Sequence, residues 1–165
     1  MIRWWAAMAL VIAACGSDAP ADQGTPTTPA EIAPFGRGGV EFTAVDGTVT
    51  CSCVLVADTA EVRAQGLMNV TDLQGYAGMV FVFDEDVTSR FTMRSTPLPL
   101  SIAWVAGDGS LVSTADMEPC LDGGDCEAYS ADGPYRFALE VPQGDLAAVG
   151  AVEGATFSLV EDCPT

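Results

Sequence analysis

Length, composition and charge limit what this chain can be. It has 165 residues, with 23 acidic side chains against six basic ones and no histidine, so the formal net charge is −17. All the basic residues are arginines, and a chain without lysine or a basic cluster is not suited to binding nucleic acid. The absence of histidine removes the usual general base and the commonest metal ligand. An apolar fraction of 49% is enough for a packed core and too high for a disordered chain.

The N-terminus resembles the signal peptide of a bacterial lipoprotein. Arg3 is followed by an uninterrupted apolar run over residues 4–14, which as a helix would span about 16 Å, too little for the roughly 30 Å of membrane hydrocarbon. Small residues precede Cys15, as in the lipobox, whose cysteine is acylated and becomes the first residue after cleavage. We predict that residues 1–14 are the signal peptide and that Cys15 is lipidated. The alternative is a plain secretory signal with an incidental cysteine.

A tether and one folded domain are expected after the signal peptide. Residues 16–38 contain four prolines, several glycines and small polar side chains, which leave little to bury. We predict that residues 15–38 form the lipidated cysteine and a disordered tether, and residues 39–165 one β domain. Such a protein is exported, anchored in the bacterial cell envelope and in contact with a membrane only through its lipid, with the choice of membrane left open.

Short segments of period-two alternation or continuous apolar character predict about eight strands in this domain. Asp46-Gly47 and the segment 107–110 are turn signals of hairpins. The clearest predicted strands are 40–44, 48–56, 79–83, 102–106, 111–114, 135–141 and 157–160.

Helical segments are few and short. Asp58 is the expected N-cap of a two-turn helix, with Glu61 in its first turn and Gly66 at its end. A second helical turn is expected after Asp145. The pattern therefore predicts a mainly β fold, a single sandwich-like or barrel-like domain with one or two short helices. The alternative is an α+β domain with a larger helical part.

Several motifs in a fixed order resemble one known family. They are Arg-x-x-Gly-Leu-Met at 63–68, Gly-Met-Val-Phe-Val-Phe at 78–83, the segment 91–104, Met-Glu-Pro-Cys at 117–120 and Tyr-Arg-Phe-Ala-Leu-Glu-Val at 135–141. Their order and spacing are similar to those of the bacterial and archaeal family called domain of unknown function 192, over roughly residues 53–160. The resemblance implies a small, mostly β, sandwich-like domain that is often exported and has no established activity.

Three positions depart from the pattern of that family. Thr92, Ser95 and Ser101 stand where the family usually has Trp, Asn and Asp. If these polar positions form the family's site, this chain has lost a carboxylate there. Any shared chemistry that needs the acid would then be in doubt.

The cysteines other than the lipidated one are expected to be mostly oxidised, because export favours disulfides. Cys120 and Cys126 enclose a short loop with two glycines, so we predict a disulfide between them. Cys163 is expected to bond either Cys51 or Cys53, which leaves one thiol. A catalytic dithiol at Cys51 and Cys53 is disfavoured, because neither a helix N-terminus nor a cation lies nearby in the sequence to lower a thiol pKa.

Two arginines in this part of the chain are candidates for ligand binding. Arg63 and Arg94 are two of the five cations that remain without the signal peptide. In so acidic a domain they could present an anion- or partner-binding surface. The alternative is that both pair with nearby carboxylates and only rigidify turns. The candidate binding residues are Arg63, Met68, Met93, Arg94, Thr96, Ser101, Met117 and Glu118.

No catalytic residue, metal ligand or cofactor is predicted. The serines lack a histidine partner, methionine is a common core residue, and the acidic turn at 84–86 lacks the spacing of a calcium loop. The sequence therefore favours a non-catalytic module that binds a small ligand or an envelope protein, and no nucleic acid. Two alternatives stay open: an envelope enzyme that acts on a sugar or cell-wall component through carboxylates, and a purely structural envelope lipoprotein.

Overall fold

Nine strands and one short helix form the part of the chain that this computed structural model describes, which is Ile32, residues 34–121 and residues 124–161. The elements are β1 (Gly36–Thr43), β2 (Val49–Ala57), α1 (Ala60–Gln65), β3 (Gly78–Val87), β4 (Phe91–Thr92), β5 (Leu100–Val105), β6 (Leu111–Met117), β7 (Ala128–Tyr129), β8 (Tyr135–Pro142) and β9 (Thr156–Val160). The predicted mainly β fold is confirmed. The predicted signal peptide and Cys15 lie outside the described residues.

Seven of the strands form one sheet, in the order β6-β5-β8-β3-β2-β1-β9. All neighbours are antiparallel except β2 and β3, which α1 connects as a parallel pair. Strands β4 and β7 pair separately. We expected a sandwich-like or a barrel-like form, and the sheet does not close into a barrel. A single bridge between Ser110 and Thr156 joins the two ends of the sheet, and no continuous ladder closes it.

Both faces of this sheet are buried, which gives the domain two cores. Phe157 on β9 and Phe137 on β8 lie with their ring centroids 5.0 Å apart, although three strands separate β8 from β9 in the sheet. The sheet therefore curls around one of its cores. This inner core contains Val40, Phe42, Val54, Val80, Ala103, Val105, Leu139, Val141, Val149, Ala151, Ala155 and Phe157. The outer core on the other face includes Leu55, Leu67, Met79, Phe81, Met93, Leu100, Ile102, Trp104, Met117, Tyr135 and Ala138.

The expected hairpin turns are present. Between β1 and β2, Gly47 has a φ of +85°, which favours glycine, and the Asp46 carboxylate accepts the N–H of Thr48. Between β5 and β6, Gly109 has a φ of +87°, and the Asp108 carboxylate accepts the N–H of Ser110. These local signals fix both antiparallel pairs.

The helical predictions need two corrections. The N-cap of α1 is Thr59, whose hydroxyl accepts the N–H of Val62, and not Asp58. After Asp145 the chain makes successive turns over 143–150 and no second helix. The N–H groups of Ala148 and Val149 both bond to the carbonyl of Asp145, so a helical start is present that does not continue.

The folded part begins earlier than the boundary expected at residue 39. Strand β1 starts at Gly36, and Ile32 and Phe35 are buried in the outer core. Gly36 and Gly38 face Val56 of β2, and a Cβ on either would lie within 3.4 Å of its side chain. Gly36 and Gly38, which we predicted to belong to the tether, are therefore part of the tightly packed pair of β1 and β2.

The approach of β3 to β8 depends on Gly78. A Cβ at this position would overlap the carbonyl oxygen of Glu140 and touch Val141. We expect Gly78→Ala to lower the free energy of unfolding by roughly 2 kcal/mol or more, because backbone must move to admit the methyl group. Urea unfolding measures the change, and Gly124→Ala is the control, since its Cβ would meet nothing within 4 Å. Equal stability of the two variants would contradict this account.

Candidate functional site

A glutamate lies in the centre of the sheet, on the face of the outer core. Glu140 belongs to β8 and stands between Met79 of β3 and Ile102 of β5 in the strand register. Both neighbours are fully buried, and Glu140 itself is 5% exposed. Charged side chains are rarely buried to this degree unless they are paired. This glutamate therefore requires an explanation.

The Glu140 carboxyl group has no hydrogen-bond or ion-pair partner among the residues that the structure describes. Burial raises the pKa of Glu140 from its ordinary value of 4.5 to about 8, because removal from water disfavours the charged form. At neutral pH the group is mainly a neutral acid, with one O–H donor and acceptor oxygens that no protein group uses.

The Glu140 side chain faces a cavity of about 300 Å³, which we call the Glu140 pocket. The last turn of α1, the residues after it, β3 and the segment around β4 surround it. Its apolar walls are Ala64, Gly66, Leu67, Met68, Phe81, Phe83 and Phe91, and its polar groups are Arg63, Gln65, Ser89, Arg90, Thr92, Thr96 and Glu140. Glu140 is the one acid in this lining, and it faces the cavity together with two arginines.

Arg63 attaches α1 to the sheet beside the pocket. Its Nη1 donates to the carbonyl oxygens of Asp58 at 2.6 Å and Val82 at 2.7 Å. The guanidinium carbon lies 4.9 Å from the centroid of the Phe83 ring, within the range of a cation–π contact. Gly66 ends the helix with a φ of +48°, and its missing side chain leaves room for Phe81. These contacts hold the helical wall at a fixed distance from β3.

Aromatic contacts and one hydrogen bond hold the opposite wall. Phe91 packs edge-on against Phe81 with ring centroids 5.0 Å apart, and Phe83 packs in the same way against Tyr135 at 5.6 Å. The buried Tyr135 hydroxyl donates to the carbonyl of Ser89 at 2.8 Å. The segment 89–91 is therefore bonded to the strand that carries the glutamate.

Three of the eight predicted binding residues line this pocket, namely Arg63, Met68 and Thr96. Thr96 is buried, and its hydroxyl donates to the carbonyl of Arg94. The family-like motif at 63–68 thus contributes a real wall of the cavity.

The other five predicted binding residues lie elsewhere. Met93 and Met117 are buried in the outer core. The Arg94 side chain is exposed and does not line the pocket. Glu118 is exposed, and its carboxylate accepts from the Gln143 amide. Ser101 points to the other face of β5 from Ile102.

Ser101 and Ser95 explain part of the departure from the family pattern. The Ser101 hydroxyl is buried, donates to Asp116 and accepts the N–H of Gly144. A carboxylate at position 101 would therefore not lie in the Glu140 pocket. Ser95 has a φ of +54°, in a backbone region that favours asparagine, the residue usual in the family. These two positions serve local backbone structure.

The predicted disulfide between Cys120 and Cys126 is present, with Cα atoms 5.8 Å apart. The carbonyl of Cys120 accepts the N–H of Ser95, so the bonded loop supports the segment that carries Thr96. Cys53 is also disulfide-bonded, and Cys51 is a free thiol. Cys163, predicted to bond one of them, lies outside the described residues.

Sequence reasoning missed Glu140. In the segment 135–141 it read as the exposed face of an alternating strand, together with Arg136 and Ala138. The structure buries both faces here, because a core packs on each side of the sheet at β8. Two signals were available, since Ala138 is apolar and the strands at 79–83 and 102–106 are apolar on both faces.

The described residues contain neither a metal-binding cluster nor a helix that could cross a membrane. Within residues 34–121 and 124–161, no group of three or more acidic or cysteine side chains could hold a metal ion. The helix described there, α1, has six residues and is not long or apolar enough to cross a membrane.

The chain belongs to the DUF192 family, described as "Uncharacterized ACR, COG1430", because the family profile matches residues 42–159, more than half of its length. No curated protein matches the sequence.

Solved structures that resemble this chain include the following two. One is a protein of unknown function from Novosphingobium aromaticivorans DSM 12444, with a TM-score of 0.63, 27% identity and coverage of 82% of this chain and 99% of the other. The second is a proposed transcription regulator from Sinorhizobium meliloti 1021, with a TM-score of 0.65, 22% identity and coverage of 76% and 95%. At that identity the second likeness shows the fold alone.

Stability should depend on pH through Glu140. The unfolded chain releases this proton near pH 4.5, whereas the folded protein keeps it until about pH 8. The wild type therefore loses stability as pH rises between these values, by about 3 kcal/mol between about pH 5 and 7. Glu140→Gln lacks this titration, so its stability relative to wild type should rise over the same range.

Urea unfolding from about pH 5 to 9 measures this difference, with Glu153→Gln as the matched control because Glu153 is exposed. The control should follow the wild type at every pH. A Glu140→Gln curve parallel to that of the wild type would contradict the raised pKa.

Proposed function

We propose that this domain binds a small molecule in the Glu140 pocket. The observation that carries the proposal is a buried carboxyl group, without a protein partner, facing a cavity of about 300 Å³. Removing a carboxyl group from bulk water without a compensating hydrogen bond from the protein costs free energy, whereas an apolar residue at the same position in the outer core would carry no such cost. A ligand that bonds to the carboxyl group would supply the missing hydrogen-bond partner and explain why a glutamate stands at this position.

The pocket favours binding over the two other functions considered. Glycoside hydrolysis by two carboxylates requires a second acid about 5–9 Å from the first, and the Glu140 pocket contains one acid. A purely structural domain has no use for an unpaired acid beside an open cavity. A single acid with a pKa of about 8 is suited to proton transfer, so catalysis on the bound molecule is the second candidate.

The N-terminal sequence supports a location for this binding. We propose that the protein is exported and anchored in the bacterial envelope through a lipid on Cys15. The apolar run of residues 4–14 and the small residues before Cys15 are what support this location. A tethered domain with so large a net negative charge would stay soluble and would be repelled by anionic lipid.

Cys15→Ala should release the protein from the membrane fraction, because the acylated residue is removed. Fractionation of cells that produce the full chain, followed by immunoblotting, measures the distribution. Cys51→Ala is the control, since it removes another cysteine and should leave the protein with the membranes. Retention of Cys15→Ala in the membrane fraction at the wild-type level would contradict the anchor.

Native mass spectrometry tests the binding. We expect the full chain, released from the envelope in mild detergent, to carry a small molecule whose mass disappears on denaturation. Glu140→Met has a side chain of similar length and no polar group, so it should fold at least as stably and lose the added mass. Glu153→Met, at an exposed position, should keep it.

Two outcomes contradict the proposed function. One is an identical added mass in wild type and Glu140→Met, which would place the molecule elsewhere. The other is a Glu140→Met variant that is less stable than the wild type after both have been freed of the bound molecule, which would make the glutamate a structural residue, since a bound ligand by itself stabilises the folded wild type.

A further inference from the structure

We infer that the molecule bound in the Glu140 pocket is a small organic anion, with its charged group at Arg63 and Arg90, its flat apolar part against the phenylalanine rings, and an uncharged hydroxyl or carbonyl group at Glu140. The inference rests on the proposed function and adds the chemical class of ligand. It depends on the charged and apolar residues that line the cavity.

Neither arginine of the pocket is paired with a carboxylate of the described residues. Neither Arg63 nor Arg90 forms an ion pair with a carboxylate in the described part of the chain, where Arg136 does so with Asp86 at 2.9 Å. The chain carries 23 acids and six basic residues, so acids are plentiful as partners. Two arginines line this cavity and neither forms an ion pair with an acid among the described residues, so a ligand anion can neutralise them.

Arg63 is held in a position suited to this task. Its Nη1 is used by the carbonyls of Asp58 and Val82, and the Phe83 ring lies against the guanidinium group. No described protein group accepts from Nε or Nη2. A fixed guanidinium with two free donor groups can bond a carboxylate through two parallel hydrogen bonds. Because the side chain is already ordered, little conformational entropy is lost on binding.

The surroundings of Glu140 exclude a second anion. Glu140 is surrounded by Met79 and Ile102 in the register, so nothing beside it in the sheet compensates a charge. A ligand carboxylate there would face an acid that ionises, and both would be destabilised. A hydroxyl or carbonyl group can instead bond to the neutral acid, which both donates and accepts. The rings of Phe81, Phe83 and Phe91 in the cavity lining suit a flat apolar body.

Three aromatic probes test the class of ligand. 4-Hydroxybenzoate has the anion and the hydroxyl group, benzoate lacks the hydroxyl group, and 4-hydroxybenzamide lacks the charge. The full chain with Trp4→Phe and Trp5→Phe retains Trp104, whose ring centroid lies 6.3 Å from that of Phe91 in the pocket wall, as a fluorescent reporter. At neutral pH we expect 4-hydroxybenzoate to bind at least about tenfold more tightly than either other probe.

Two matched arginine variants test which arginine binds the carboxylate of the probe. Arg90→Gln should weaken both carboxylates severalfold and leave the amide unchanged. Arg94→Gln removes an exposed cation from the same part of the chain but outside the pocket, so it should change none of the three affinities. Glu140→Met should abolish the advantage of 4-hydroxybenzoate over benzoate.

Equal affinities for the benzamide and the benzoates, equal effects of Arg90→Gln and Arg94→Gln, or no binding of any probe would overturn the assignment to an organic anion. The proposed function fails on a separate measurement, the added mass and stability of Glu140→Met. A pocket that keeps its Glu140-dependent added mass but ignores the carboxylate probes would therefore bind another class of molecule.

Discussion

An unpaired carboxyl group within a central strand is the constraint on which this structure depends. Glu140 stands between Met79 and Ile102, and no described residue donates to its oxygens. Burying such a group costs more than burying any apolar residue of similar size. The fold tolerates it because two cores, one on each face of the sheet, stabilise the strands around it. The domain therefore carries a local instability at the point where the Glu140 pocket lies.

The cavity stays open because hydrogen bonds hold its walls in place, so no side chain has to fill the space between them. Arg63 connects α1 to β3 through backbone carbonyls, and Tyr135 bonds the segment 89–91 at Ser89. The carbonyl of Cys120, in the disulfide-closed loop, accepts from Ser95. Each attachment lies beside the cavity without occupying it. A pocket ordered in this way loses little entropy when a ligand enters, which supports a binding role over a packing defect.

Local patterns predicted much of this fold. The turns at Asp46-Gly47 and 107–110 and the strand at 79–83 follow from residues near in sequence, and the structure has them. The N-cap was displaced by one residue, from Asp58 to Thr59, since either side chain can accept a helical N–H. The sequence motifs associated Arg63, Met68 and Thr96 with a site, and these residues line the pocket. The same motifs could not show that Met93 and Met117 belong to the outer core instead. Glu140 was missed because alternation marks one face as exposed, and only the two cores, formed by contacts between residues distant in sequence, show both faces buried.

We conclude that Glu140 is a neutral acid in the folded protein and that its carboxyl group is available to bond to a ligand. Carbon-13 NMR of the side-chain carboxyl groups, titrated in wild type and in Glu140→Gln to assign the missing signal, measures this directly. The account predicts one glutamate carboxyl resonance with a midpoint near pH 8, present only in the wild type. A Glu140 resonance that titrates near the ordinary value of 4.5 would contradict the account, because the carboxyl group would then be solvated or paired.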